Sequence, residues 1–391
     1  MTAPDLAALV TEVRGHLDTD ALTAVARQIH GDPELGFAEH RAAALLTGRL
    51  AAGGFDVESG VAGLPTAFRA RRRFGAAGPT VALFCEYDAL PGLGHACGHN
   101  IIATAGLGGG LAAASAGAPV GELVVLGSPA EEGGGGKVRF VEAGVLDDVD
   151  AAIMVHPAGY DAIGRTNLGR LSLRATFTGR ASHASAAPEE GRNALDAATL
   201  LLTALGLLRQ QLRADSRVHA NVVDGGQAIN VIPERAVVSV FVRSPDVAYL
   251  RDRLHRAVQD AVAGCALATG TTGVLEEVAP AYEPVRHNPV LAELTAAAYA
   301  AVGRPADATL LHGNAGSTDM GNVSQRVPAL HPYVQVVPGA TIHTREFADV
   351  AGGDAGDRAA LDGAAVLGAV ALALLRRPEL VAAARAAHDQ G

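Results

Sequence analysis

Lysine is nearly missing from this chain: Lys137 stands alone against thirty arginines. Charge as a whole is sparse, at 18% of 391 residues, and the 41 acidic side chains outnumber the 31 basic ones for a net charge of −10. A surface that neutralises phosphates needs clustered Lys and Arg, so nucleic acid is not an expected partner. Cysteine is scarce too. Cys85, Cys97 and Cys265 cannot all pair, and a chain of this length needs no disulfide staples, which points to a reducing compartment. The opening Met-Thr-Ala-Pro-Asp-Leu lacks the basic and then apolar stretch of a secretory signal. The longest apolar run, 363–375, falls short of the roughly 20 residues of a membrane helix and reads as a buried C-terminal helix. A cytoplasmic protein without a membrane partner is expected.

What the chain has in quantity is apolar material, 49% of its residues, over a length that exceeds one ordinary core. Segments 22–29 and 42–50 carry helical spacing around a turn at 30–36. Three short apolar runs follow, 80–85, 122–127 and 151–155, with a helical run at 101–116 between the first two; near-continuous apolar strands alternating with helices predict a mostly parallel sheet. From Leu171 the pattern changes. Strand signals at 171–178, 218–223, 237–243 and 274–278, with helices at 193–212 and 247–263, spell βαββαβ, a ferredoxin-like α+β unit. Helix (289–302) and strand (333–337) signals of the first kind then return. The expected organisation is therefore an α/β catalytic domain in two parts, 1–170 and 284–391, interrupted by a lid and dimerisation domain at 171–283.

Ligand sites in open α/β sheets form beyond the carboxyl ends of the strands. Glu86 and Asp88, Glu131 and Glu132, and His156 each follow one of the three apolar runs, and His343 follows a fourth. Cys97-Gly98-His99 offers sulfur and nitrogen donors two positions apart. A thiolate beside an imidazole also suits a nucleophile, so a cysteine-nucleophile amidase using Cys97 and His99 is one reading of these residues. The adjacent glutamates favour another: in a water-activating metal site one carboxylate binds metal while its neighbour takes the proton of the water. A zinc deaminase would need a Pro-Cys-x-x-Cys element that is not there.

Four motifs carry a resemblance: Glu86-Tyr-Asp-Ala-Leu-Pro, His95-Ala-Cys-Gly-His-Asn100, Pro129-Ala-Glu-Glu-Gly-Gly-Gly-Gly-Lys137 and Gly225-Gly-Gln-Ala-Ile-Asn-Val-Ile-Pro-Glu234. With these the chain resembles the dinuclear-metal aminoacylase and carboxypeptidase family of metallopeptidases. Within that family it looks most like the amidohydrolase branch of auxin-conjugate and aminobenzoyl-glutamate hydrolases and, through Ser317-Thr-Asp-Met-Gly-Asn-Val-Ser324, the β-alanyl-lysine dipeptidase-like proteins. The resemblance implies metal ligation by Cys97, His99, Glu132, His156 and His343, with Glu131 as general base and Asp88 orienting a ligand imidazole. It implies two divalent ions per subunit, zinc or manganese with cobalt or nickel possible, a homodimer, and hydrolysis of the amide bond of a small dipeptide or N-acyl amino acid. His183 matches a histidine that reaches across the dimer, and Asn230 and Arg243 match positions that hold substrate. Asn100 stands where many auxin-conjugate hydrolases have Asp, which removes one carboxylate. A catalytically silent binding homologue is the remaining alternative, and the intact glutamate pair and ligand set speak against it.

Overall fold

A computed structural model describes residues 5–311 and 316–390 of the chain. It divides into two compact units, one formed by 1–166, 285–315 and 319–391 and the other by 167–284 with 316–318.

The first unit is built on one sheet. Its long strand Phe68–Glu86 uses its second half, from Thr80, to lie parallel to Val120–Ser128 on one side, with Glu86 opposite Ser128, and to Ala151–Ile153 on the other. Ala329–Leu330 extends the parallel array beyond Ala151–Ile153. The first half of the long strand turns back along the free edge of Val120–Ser128 in descending register, Phe68 opposite Gly127 and Gly75 opposite Val120, and Asp56–Ser59 adds an antiparallel outer strand. The sheet is thus parallel where its carboxyl ends gather the polar residues and antiparallel at one edge. That edge alternates core residues Phe68, Ala70 and Phe74 with Arg69, Arg71 and Arg73, which pair with Asp148 and Glu122, so no continuous apolar run advertises it.

Helix His99–Ala116 runs through the middle of this unit, buried on nearly every side, and Asp354–Arg376 packs against it. Its glycines make the fit possible. A Cβ on Gly106 would lie 2.5 Å from the Phe84 carbonyl oxygen, and one on Gly109 would lie 3.0 Å from that of Ala364, both too close for ordinary packing. Asp354–Arg376 is also the one described helix long and apolar enough to cross a membrane, yet 83% of its apolar window is buried within the protein. It is a core helix, longer than the 363–375 run suggested, and Pro378–Gln390 follows it.

In the second unit four antiparallel strands stand in the order Thr272–Glu277, Gly169–Thr178, Arg235–Ser244, Arg217–Asp224. Chain order strand, helix, strand, strand, helix, strand with the first and third strands central is the ferredoxin-like arrangement. Leu171, Leu173, Ala175 and Phe177 alternate inward to meet Ala197, Leu201 and Leu205 of helix Ala194–Leu208 and Val258 and Val262 of helix Arg256–Thr269. The second helix begins as a wider π-type turn, Tyr249–His255, and only then becomes α-helical. Leu207, Leu267 and Val274 of this unit are exposed.

Candidate metal centre

Six donor residues converge in the first unit from four separate stretches of chain. Cys97, His99 and His156 place a sulfur and two ring nitrogens within 4.8 Å of one another; Cys97, Glu132 and His343 do the same, and so do His99, Glu131 and Glu132. Cys97 Sγ lies 3.5 Å from His156 Nε2, and His343 Nε2 lies 3.0 Å from a Glu132 oxygen. Cys97, His99, His156 and Glu131 are buried while the His343 side chain is 48% exposed, so the cluster opens to one side.

Hydrogen bonds settle which imidazole nitrogen is free. His99 Nδ1 meets Asp88 Oδ1 at 2.9 Å and, facing a carboxylate, donates; Nε2 is buried and without a hydrogen-bond partner, and because burial is outweighed by Asp88 and Cys97, which raise the ring's pKa, it is the nitrogen that gives up its proton when a metal binds. His156 Nδ1 donates to the Pro157 carbonyl at 2.7 Å, leaving Nε2 as the electron-pair donor. Burial depresses the pKa of His156 to about 4, which keeps the ring neutral. The second oxygen of Asp88 accepts the Glu132 backbone N–H at 3.0 Å. One buried carboxylate therefore aims a ligand histidine and anchors the loop of the glutamate pair, the kind of support that metal-binding imidazoles ordinarily have.

An orphaned, buried His99 Nε2 amid thiol, imidazole and carboxylate donors fits a divalent metal ion. The same surroundings disfavour a cysteine nucleophile. Burial pushes the Cys97 thiol pKa upward, with His99 opposing, the reverse of what activates a thiolate.

Local backbone geometry serves the donors. Gly98 takes φ +79° to start helix His99–Ala116, and a Cβ there would press on Pro157 Cγ at 2.6 Å. Among the described residues four non-glycines have positive φ, Phe37, Ala62, Ala130 and His343, each at an expected cost of about 1–3 kcal/mol. Two of the four belong to donor segments: Ala130 precedes the glutamate pair, and His343 is itself in the cluster, tied by its N–H to the Ala96 carbonyl at 2.7 Å. Ala130 is braced from the other side, its N–H donating to Glu39 at 2.9 Å while Thr66 donates to the second Glu39 oxygen at 2.8 Å.

Asn100 points away from the cluster, donating to the Ala351 carbonyl at 2.9 Å. His183, Asn230 and Arg243 belong to the second unit. There His183 and Asn230 are neighbours, the Ala184 N–H donating to the Asn230 carbonyl at 2.9 Å, and His183 Nδ1 accepts the Ser185 and Ala186 N–H groups, so its proton sits on Nε2. Arg243 stands apart from them on the sheet, in register with Arg170 and Arg217.

Sequence reasoning passed over three groups beside the cluster. His331 is buried with both ring nitrogens unbonded, its centroid 5.5 Å from that of His156. Lys137 and Asp319 form a buried pair with Glu86 behind Glu131. Burial, then the carboxylates of Glu86, Asp319 and Glu132, raise the pKa of Glu131 well above the usual range. The signal for Lys137 was its solitude among arginines.

A cluster of this chemistry at the carboxyl ends of a parallel array, in a chain with a separate ferredoxin-like unit, is that of a metal-dependent hydrolase. Comparison with known proteins narrows the class. The Peptidase dimerisation domain family matches residues 165–264. The Xaa-Arg dipeptidase of Mus musculus is 39% identical over 390 residues, covering 94% of this chain and 88% of the mouse protein; one of the p-aminobenzoyl-glutamate hydrolase subunits of Escherichia coli is 36% identical over 280 residues, 65% of this chain and 57% of that protein. Among solved structures, the Bacillus subtilis YXEP protein, a dinuclear metal-binding peptidase from the M20 family, matches with a TM-score of 0.67 at 20% identity over 90% of this chain and 98% of that one. The chain belongs to the M20 family of dinuclear-metal aminoacylases and carboxypeptidases.

Proposed function

We propose that the protein is a two-metal dipeptidase or N-acyl amino acid hydrolase in which Cys97, His99, Glu132, His156 and His343 hold two divalent ions, zinc or manganese, and Glu131 is the general base. The observation that carries the reading is the convergence of these donors around a buried, unbonded His99 Nε2. When bound, the ions supply positive charge that polarises the scissile carbonyl and acidifies water. Glu131 takes a proton from the attacking water and returns it to the leaving amine. Asp88 keeps His99 aimed and the Glu132 loop in place. In the second unit, His183 presents a donating Nε2–H for the developing oxyanion beside Asn230, and Arg243 offers a fork for a substrate carboxylate. Three unpaired cysteines support a reducing, cytoplasmic setting.

Hydrolysis by the zinc- or manganese-loaded protein, screened over dipeptides, N-acyl amino acids and aminobenzoyl-glutamate with metal content measured alongside, tests this directly. Release of free amine from dipeptides with C-terminal arginine is the expected result, given the name of the mouse relative; no turnover of any member overturns the reading.

The family match to a dimerisation domain and the exposed Leu207, Leu267 and Val274 support a homodimer, and we propose that within it His183 serves the partner's centre. Mixing inactive Glu131→Gln subunits with inactive His183→Ala subunits is then expected to restore activity, because one site of each hybrid combines an intact Glu131 with an intact His183. Absence of recovery in verified hybrids would confine His183 to its own chain.

A further inference from the structure

Lys137 is among the largest fully buried side chains of the protein. Its ammonium donates to Glu86 and to Asp319 Oδ1 at 2.7 Å, and its backbone N–H donates to Asp319 Oδ2 at 2.9 Å. Carboxylate oxygens of Glu86, Glu131 and Asp319 lie within 4.8 Å of one another. The other oxygen of Glu86 is 3.5 Å from His99 Nε2 and has no hydrogen-bond partner. The network therefore begins at the donor cluster, passes behind Glu131 and ends on the helix start at Met320.

Composition adds an independent argument. A chain that uses arginine at thirty of thirty-one basic positions keeps lysine where the charge is enclosed and must serve two carboxylates at once. A guanidinium is a broad planar fork, whereas an ammonium is compact with three donors that can be aimed separately. Three carboxylates this close repel one another, and without a cation among them Glu131 would turn away from Glu86 and Asp319.

We propose that Lys137 is a positioning residue for hydrolysis, its ammonium gathering Glu86 and Asp319 behind Glu131 and so fixing the direction of the Glu131 carboxylate. The proposal rests on the reading of Glu131 as general base. Lys137→Met alone leaves two buried carboxylates without a counter-charge and is prone to misfold. The informative variant is Lys137→Met/Asp319→Asn, which removes one charge of each sign. Its kcat, KM, metal content and melting temperature are to be measured on a dipeptide substrate, in the wild-type and the Glu131→Gln backgrounds.

The expected result is a fall in kcat of about 10–100-fold in the wild-type background, with metal content retained and KM within about twofold. In the Glu131→Gln background no further fall is expected, because a residue that acts through Glu131 has nothing left to position. Wild-type kcat in the double variant, or the same fractional loss in both backgrounds, would overturn the proposal and leave Lys137 a structural ion pair. Full kcat in Glu131→Gln by itself would instead overturn the reading of Glu131, an outcome separate from the first because that variant is measured alone.

Discussion

Glu131→Gln is expected to lower kcat by about 10²–10⁴, the usual contribution of a general base, and to leave metal content nearly intact. In activation free energy that is about 3–5 kcal/mol. Gln keeps the size of the side chain but cannot take a proton. Glu132→Gln is expected to behave differently: its oxygen lies 3.0 Å from His343 Nε2 and it shares a donor group with Cys97, so the neutral amide should cost bound metal as well as turnover. Steady-state kinetics combined with metal analysis on both variants separates the roles. Were the two outcomes exchanged, Glu132 would be the base and Glu131 the ligand, with the site itself unaffected.

Removal of metal is expected to abolish amide hydrolysis, and readdition of zinc or manganese to restore it. The assay also decides against the cysteine-nucleophile alternative. A thiol-alkylating reagent would be decisive for that mechanism, whereas Cys97 is 5% exposed in a cluster of donors, and bound metal should slow its alkylation further. Thermal unfolding gives a second readout. An ion that binds only the folded state stabilises it by about 2.7 kcal/mol at a hundredfold excess over its Kd, so the metal-free protein should melt lower by several degrees. Full activity in a verified metal-free preparation would remove the metal reading altogether.

Most of the donor chemistry was legible because it is written in contiguous words. Glu131-Glu132 and Cys97-Gly98-His99 each place two functional groups on one turn after a strand, and apolar runs of five or six residues announce those strands. The βαββαβ unit was legible for the same reason, since Leu171, Leu173, Ala175 and Phe177 alternate in plain view. What escaped was set by long-range geometry. His343 itself was named from the sequence, but the left-handed backbone and the hydrogen bond to Ala96 that hold it in the cluster have no local sequence mark. The antiparallel edge hid behind arginines whose partners, Asp148 and Glu122, lie far along the chain. Glu39 was not singled out at all, because its burial beneath Ala130 depends on a loop some ninety residues away.

Helix Asp354–Arg376 closes the core around His99–Ala116, and the whole inserted unit is made between them. At ~5–20 residues per second on the ribosome the earlier helix waits roughly 10–50 s for its partner. Throughout that interval the glycine-lined face that later meets Ala364 and Leu367 lies uncovered, while the ferredoxin-like unit, whose strands and helices are contiguous in the chain, is free to fold at once. The order of synthesis therefore leaves the catalytic unit incomplete until its second part, His343 included, has been translated.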